Sequence, residues 1–237
     1  MKKTPLIVVC LSFMVLIMAF AGTKRGVAHI GDIQAPAKTY DSCKNYVQKA
    51  QARLKPAYAG KRISLDSIGK VHTDLMVQHI FPHWYGTAWD FNGYTDKPGE
   101  GTVACGYFVS TTLKHSGIKL NRYKMAQKSS MDGALMLEPK DSLLIVRGTV
   151  KAFLPVFEKK CKDGLYMVGL SFHVGFLYKS GSDVYFIHSS YLAPVCVVKE
   201  KAAESAALAQ SSIFVVADIT YNHKLMKKWM NGEELKY

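Results

Sequence analysis

Three side chains could together carry nucleophilic chemistry. Cys105 lies in GTVACGYFVSTTLKHSG, where a glycine-rich loop gives way to a segment with helical spacing. A sulfur at a helix start meets the positive end of the helix dipole, which predicts a thiol below its ordinary pKa of about 8.5. Free peptide N–H groups at the same place can hold an oxyanion. His173 and His188 fall in two alternating runs separated by KSGSD. A tight turn centred between Ser180 and Gly181 would set the two imidazoles directly opposite on one face, roughly 5 Å apart at Cβ, and Gly175 leaves room beside them. Thiol attack needs a base to take the proton and a polar group to orient that base. Cys105, His173 and His188 supply one group of each kind, in that order.

The elements that must position them follow from periodicity. Asp41 to Ala59 reads as a helix closed by Pro56, and Leu65 to Phe81 as a second helix ended by Pro82. Phe81 to Gly101 is an aromatic, glycine-rich loop. A helix from Cys105 to His115 stops at Ser116-Gly117. Residues 122–164 read as mostly helical, with Thr149 as an N-cap and Gly164 as a stop. The period then changes to two: Leu165–Leu170, His173–Tyr178, Val184–Ser189 and Val195–Val198 are predicted strands. Lys201–Gln210 is alanine-rich and helical, Ile213–Ile219 a last strand, and Tyr221–Asn231 a basic helix. Helices first and antiparallel strands second indicate an α+β fold.

GTVACGYFVSTTL, HVGFLY and VYFIHSS, in this order, resemble the NlpC/P60 group of papain-like cysteine peptidases. The resemblance implies a nucleophile helix packed on an antiparallel sheet, with Cys105 as nucleophile, His173 as base and His188 as orienting residue. It also implies that Tyr85, or secondarily Trp84, lines the substrate cleft, since the group has a tyrosine in a YxxGG-like run there. It covers roughly Trp84 to Ser190. The group usually has Asp-Cys-Ser where this chain has Ala104-Cys105-Gly106. The activity implied is cleavage of amide bonds, with peptidoglycan stem peptides as first substrate. An amidase or acyltransferase using the same residues is a variant, and a non-catalytic envelope-binding protein on the same fold is the rival.

Composition narrows the setting. The chain has 237 residues, 49% hydrophobic and 21% charged, which excludes a wholly disordered protein. Residues 1–21 pattern as a signal peptide: Lys2 and Lys3, an uncharged run from Pro5 to Ala21, and Ala19-Phe20-Ala21 before a cut at Gly22. Retained, Pro5–Ala21 would act as a membrane anchor at the short end of spanning length. Export makes nucleic acid an unfit partner, although the formal charge of +13 falls only to +11 without Lys2 and Lys3. The charge suits anionic envelope polymer instead. Domain bounds follow: a linker and N-terminal helices over 22–80, the hydrolase over 81–220, a basic helix over 221–237. Cys43, Cys105, Cys161 and Cys196 match no metal-knuckle spacing, and with Cys105 in use they leave at most one disulfide. No cofactor motif occurs. His72, His79 and His83 lack an acidic partner and are interrupted by Pro82, so no metal is expected there. His115 lies about 15 Å along the helix from Cys105 and cannot serve it.

Overall fold

A computed structural model describes residues 39–236. The predicted leader, its cleavage site and most of the linker lie outside the described residues. Thr39 caps helix α1 (Tyr40–Ala59), its hydroxyl accepting from the Ser42 N–H. Pro56 does not close this helix, which runs on to Ala59. The acceptor its missing N–H would have used lies on an exposed turn, open to solvent.

Ser64 caps helix α2 (Leu65–Leu75). Pro82 does not end this run either. A π-helical turn, Met76–Ile80, intervenes before helix α3 (Phe81–Trp84), and the Phe81 N–H reaches back to Met76 O. The wider turn carries the chain past the proline ring. Helix α4 is Cys105–His115, with the bounds expected from sequence. Helices α5 (Arg122–Ala126) and α6 (Ser130–Leu137) follow.

Strand β1 (Leu144–Arg147) is an addition to the predicted elements. Four residues between helices are too few to reveal a two-residue period. Helix α7 (Val150–Lys160) starts after Thr149, as expected from its type, although the Thr149 hydroxyl makes no capping bond. Then come β2 (Gly164–Gly169), β3 (Val174–Ser180), β4 (Asp183–Ser189), β5 (Val197–Lys201), the short helix α8 (Ala206–Ala209), β6 (Ile213–Asp218) and helix α9 (His223–Asn231).

The six strands form one antiparallel sheet in the order β1-β6-β2-β3-β4-β5. The fold is therefore α+β. Alternate side chains of each strand enter two cores. On one face Phe176 and Ile187 meet Phe108 of α4, together with Ile68, Phe81, Trp84 and Trp229. On the other, Leu177, Phe186 and Phe214 meet Phe153 and Phe157 of α7 and Leu208 of α8. The described residues belong to one compact unit, so α1, α2 and α9 share the core of the sheet rather than flanking it. Leu225, Met226, Trp229 and Met230 bury one face of α9, and its lysines point the other way.

Candidate active site

The loop before Cys105 is held from three sides. The Val103 N–H donates to Ala88 O at 2.9 Å and the Ala104 N–H to Gly93 O at 2.8 Å. The Ser189 hydroxyl donates to Val103 O at 2.7 Å. These bonds deliver the chain into α4 with Cys105 as its first residue. Ala104, the N-cap, offers no side-chain acceptor, so the first peptide N–H groups of α4 have no side-chain cap. An aspartate there would compete for them. Gly106 has a steric reason: a Cβ would stand 2.6 Å from Ala126 O. The serine of the resembled group has no room where α5 presses on α4.

Burial pushes the Cys105 thiol up, and the backbone N–H groups of Val174, Gly106 and Cys105 itself offset only part of that. The expected depression of its pKa is thus reversed. Loss of hydration outweighs the helix start. No hydrogen bond joins Cys105 to His173 among the described residues, but both line one cavity between α4, α5, α6 and the β2–β3 hairpin.

The register of β3 and β4 differs from the sequence expectation. Phe176 pairs with Ile187, which centres the turn between Gly181 and Ser182, one residue further along. His188 therefore falls opposite Gly175, diagonal to His173. A one-residue move of the turn centre shifts the pairing by two residues, so both imidazoles stay on the same face. They meet because Gly175 is bare: a Cβ there would lie 2.6 Å from the Phe186 ring and 2.8 Å from His188 Cβ. His173 Nε2 and His188 Nδ1 are 2.8 Å apart, with the rings nearly perpendicular. Phe186 stacks on His188 at 4.1 Å between ring centroids, and Tyr191 packs against His173 at 5.1 Å.

The far nitrogen of His188 is 3.1 Å from Glu200 Oε1, and Glu200 is the member of this series that the sequence did not point to. The signal was concealed, since β5 reaches Lys201 whereas Val195–Val198 was the predicted strand. Glu200 sits across from Phe186, diagonal to His188. The hydrogen bond from His188, helped by Ser205, holds its carboxyl below the ordinary range. Glu200 is thus an acceptor only, and this fixes the protons along the chain. His188 donates from Nε2 and presents Nδ1 as a lone pair. His173 must then donate from Nε2, leaving its own Nδ1 as a lone pair with no protein hydrogen bond. Burial, reinforced by the neighbouring His188, lowers His173 to about 3. Burial also lowers His188 against the pull of Glu200. Both rings are neutral near pH 7, as this proton order requires.

The two aromatic candidates fare differently. Trp84 does not line the cleft. It is fully buried in the core, its indole N–H donating to Tyr40 Oη at 2.7 Å and its ring edge-on to Phe108. An apolar ring at the end of α3 faces the packed interior rather than the loop. Tyr85 is half-exposed but is not among the residues lining the cavity at Cys105, and burial raises its phenol to about 12. The cleft role implied for Tyr85 is not met in this cavity.

The remaining histidines are engaged separately. His72 Nε2 bonds Ser116, His83 lies 3.2 Å from Cys43 Sγ, and His115 Nδ1 bonds Tyr40 Oη. The His79 ring packs on Tyr46. Among the described residues no group of side chains is arranged to hold a metal, no disulfide is formed, and no helix is long and apolar enough to cross a membrane. Comparison with protein-family models, with curated proteins and with solved structures finds no match to this chain.

Proposed function

We propose that this protein is an exported cysteine hydrolase of papain-like architecture that cleaves amide bonds through a thioester on Cys105. The observation that carries the reading is the hydrogen-bonded series Glu200–His188–His173, whose last imidazole lines the cavity that Cys105 also lines. In the first step His173 Nδ1 takes the Cys105 proton as Sγ bonds to the carbonyl carbon. The oxygen that becomes negative is received by N–H groups at the start of α4. His188 and Glu200 stabilise the imidazolium for the moment it exists. His173 then gives its proton to the leaving nitrogen as the C–N bond breaks. Water, deprotonated by the same nitrogen, adds to the thioester and releases the acid and the free thiol.

A non-catalytic envelope-binding role has no need of a polar series with every proton assigned. Such a series, kept in a buried site, favours catalysis. The leader pattern and the basic charge support export and an anionic envelope, with peptidoglycan stem peptides as the first amide substrate. The test is incubation of the mature protein with purified muropeptides, read by mass spectrometry against Cys105→Ala. Cleavage products that depend on Cys105 are expected. Identical digests from the two proteins would remove the peptidoglycan substrate, and absence of any thioester on Cys105 with activated acyl donors would remove the hydrolase.

A further inference from the structure

The cavity at Cys105 has a chemical character of its own. Its walls are Val109 of α4, Met125 and Ala126 of α5, Met167 and Leu170 at the end of β2, and Val174. The three serines of its lining are already committed. Ser129 Oγ donates to Asp132 at 2.7 Å and Ser130 Oγ to Leu170 O at 2.9 Å. Ser171 Oγ lies 3.3 Å from Ser211 Oγ and 3.4 Å from Ser212 Oγ. Lys128 is the one charged residue of the lining, and it is exposed. The walls thus offer an entering group apolar contact, and the serine hydroxyls beside it are engaged elsewhere. At the tip of the β2–β3 hairpin Phe172, which also lines the cavity, is 96% exposed.

We propose that this cavity is an acyl subsite, and that the carbonyl attacked by Cys105 belongs to a linear, saturated acyl group of medium length. This rests on the hydrolase reading and takes a saturated acyl group, in place of a stem peptide, as its substrate. The cavity holds about 270 Å³, which at roughly 30 Å³ per heavy atom is room for on the order of nine carbons. An alanine-sized side chain, as in a stem peptide, would leave most of it empty. Two thioether side chains, Met125 and Met167, suit a flexible chain because their rotamers adapt to its bends. Phe172 at the mouth gives the chain an apolar surface on the way in. Atoms balance as in the proposed reaction: the Sγ–C bond forms, the C–N or C–O bond breaks, the thiol proton leaves on the departing group, and water restores the thiol.

The experiment is a series of p-nitrophenyl esters from acetyl to dodecanoyl, with thioester on Cys105 located by mass spectrometry and kcat/KM measured for each. Burial of each methylene is expected to raise kcat/KM about fourfold until the cavity is full, near eight to ten carbons, and then to level or fall. Gly133 faces this space, and a Cβ there would approach the Met167 methyl at 3.0 Å. Gly133→Leu is expected to move the preferred length to shorter chains. Ala126→Leu, on a different helix, is expected to do the same and covers the case in which the first variant folds poorly. A thioester that forms equally at every length, or a length preference that neither variant moves, would overturn the subsite and leave the hydrolase standing. No thioester at any length would overturn both.

Discussion

A neutral thiol beside a neutral imidazole attacks only as its proton departs. Alkylation of Cys105 by iodoacetamide, which lacks a bound carbonyl to drive that transfer, is therefore expected to rise with pH through a midpoint above that of an ordinary thiol. Turnover should persist in acid, to about pH 5, because His173 stays unprotonated there. An alkylation midpoint near 6 would mean a resting thiolate–imidazolium pair instead. Glu200 sets the direction in which the series donates, and removing it frees His188 to adopt either tautomer. Glu200→Ala is expected to lower kcat by about tenfold or more with little change in KM. Glu200→Gln, which keeps an acceptor oxygen but not the charge, should fall between. Nitrogen-15 shifts of the His173 ring separate this from a merely structural loss: the wild type should carry its proton on Nε2, and Glu200→Ala should show a mixture. Of this chemistry, Cys105, His173 and His188 were legible because residue type and local period mark them. The sign of the thiol shift was not, because burial comes from α5 and the β2–β3 hairpin, far away in sequence.

At the scale of elements, the site depends on how closely two strands carry their side chains. Gly175→Ala would place a methyl into Phe186 and His188. The expected result is a loss of about 1–3 kcal/mol in stability, as for overpacked cores, and at least tenfold in kcat as the His173–His188 bond opens. Gly181→Asn is the control. That turn position has a positive φ of 60° with open space around it, which asparagine accepts. Denaturant midpoints and turnover of the two variants decide it, and full activity in Gly175→Ala would mean that the ring spacing is not needed. The helix at Cys105 and most strands were legible from period and stop signals. Proline misled twice, at Pro56 and Pro82, because its cost depends on whether the freed carbonyl meets water or a widened turn. Neither choice is written locally. Strand β5 was misplaced for a related reason: an edge strand ending in Lys199-Glu200-Lys201 need not alternate.

For the whole molecule, several histidines are buried neutral. His72 and His173 are lowered to about 3 and His115 to about 4, chiefly by burial. Each has a folded pKa below its unfolded value, so the unfolded chain binds more protons once pH drops below about 6.5. Their stabilisation is complete above that pH and is lost as pH falls toward 4. Asp218 works the other way: burial raises it to about 6, so acidification relieves its burial cost. Because each of these histidines moves further than Asp218, the melting temperature is expected to fall between pH 6.5 and 4, and His72→Gln should flatten the slope in calorimetry. A flat profile in the wild type would contradict neutral burial. The polar series that begins at His173 crosses three strands and ends on the last strand of the sheet, where a third of the Glu200 side chain is wet. The series thus has a sheltered front at His173 and a solvated rear at Glu200. On the hydrolase reading, the imidazole faces the substrate cavity while the carboxylate behind it stays in touch with the ions of the medium. If the hydrolase reading holds, salt is expected to tune the strength of His173 as a base from the Glu200 end of the series, outside the cavity.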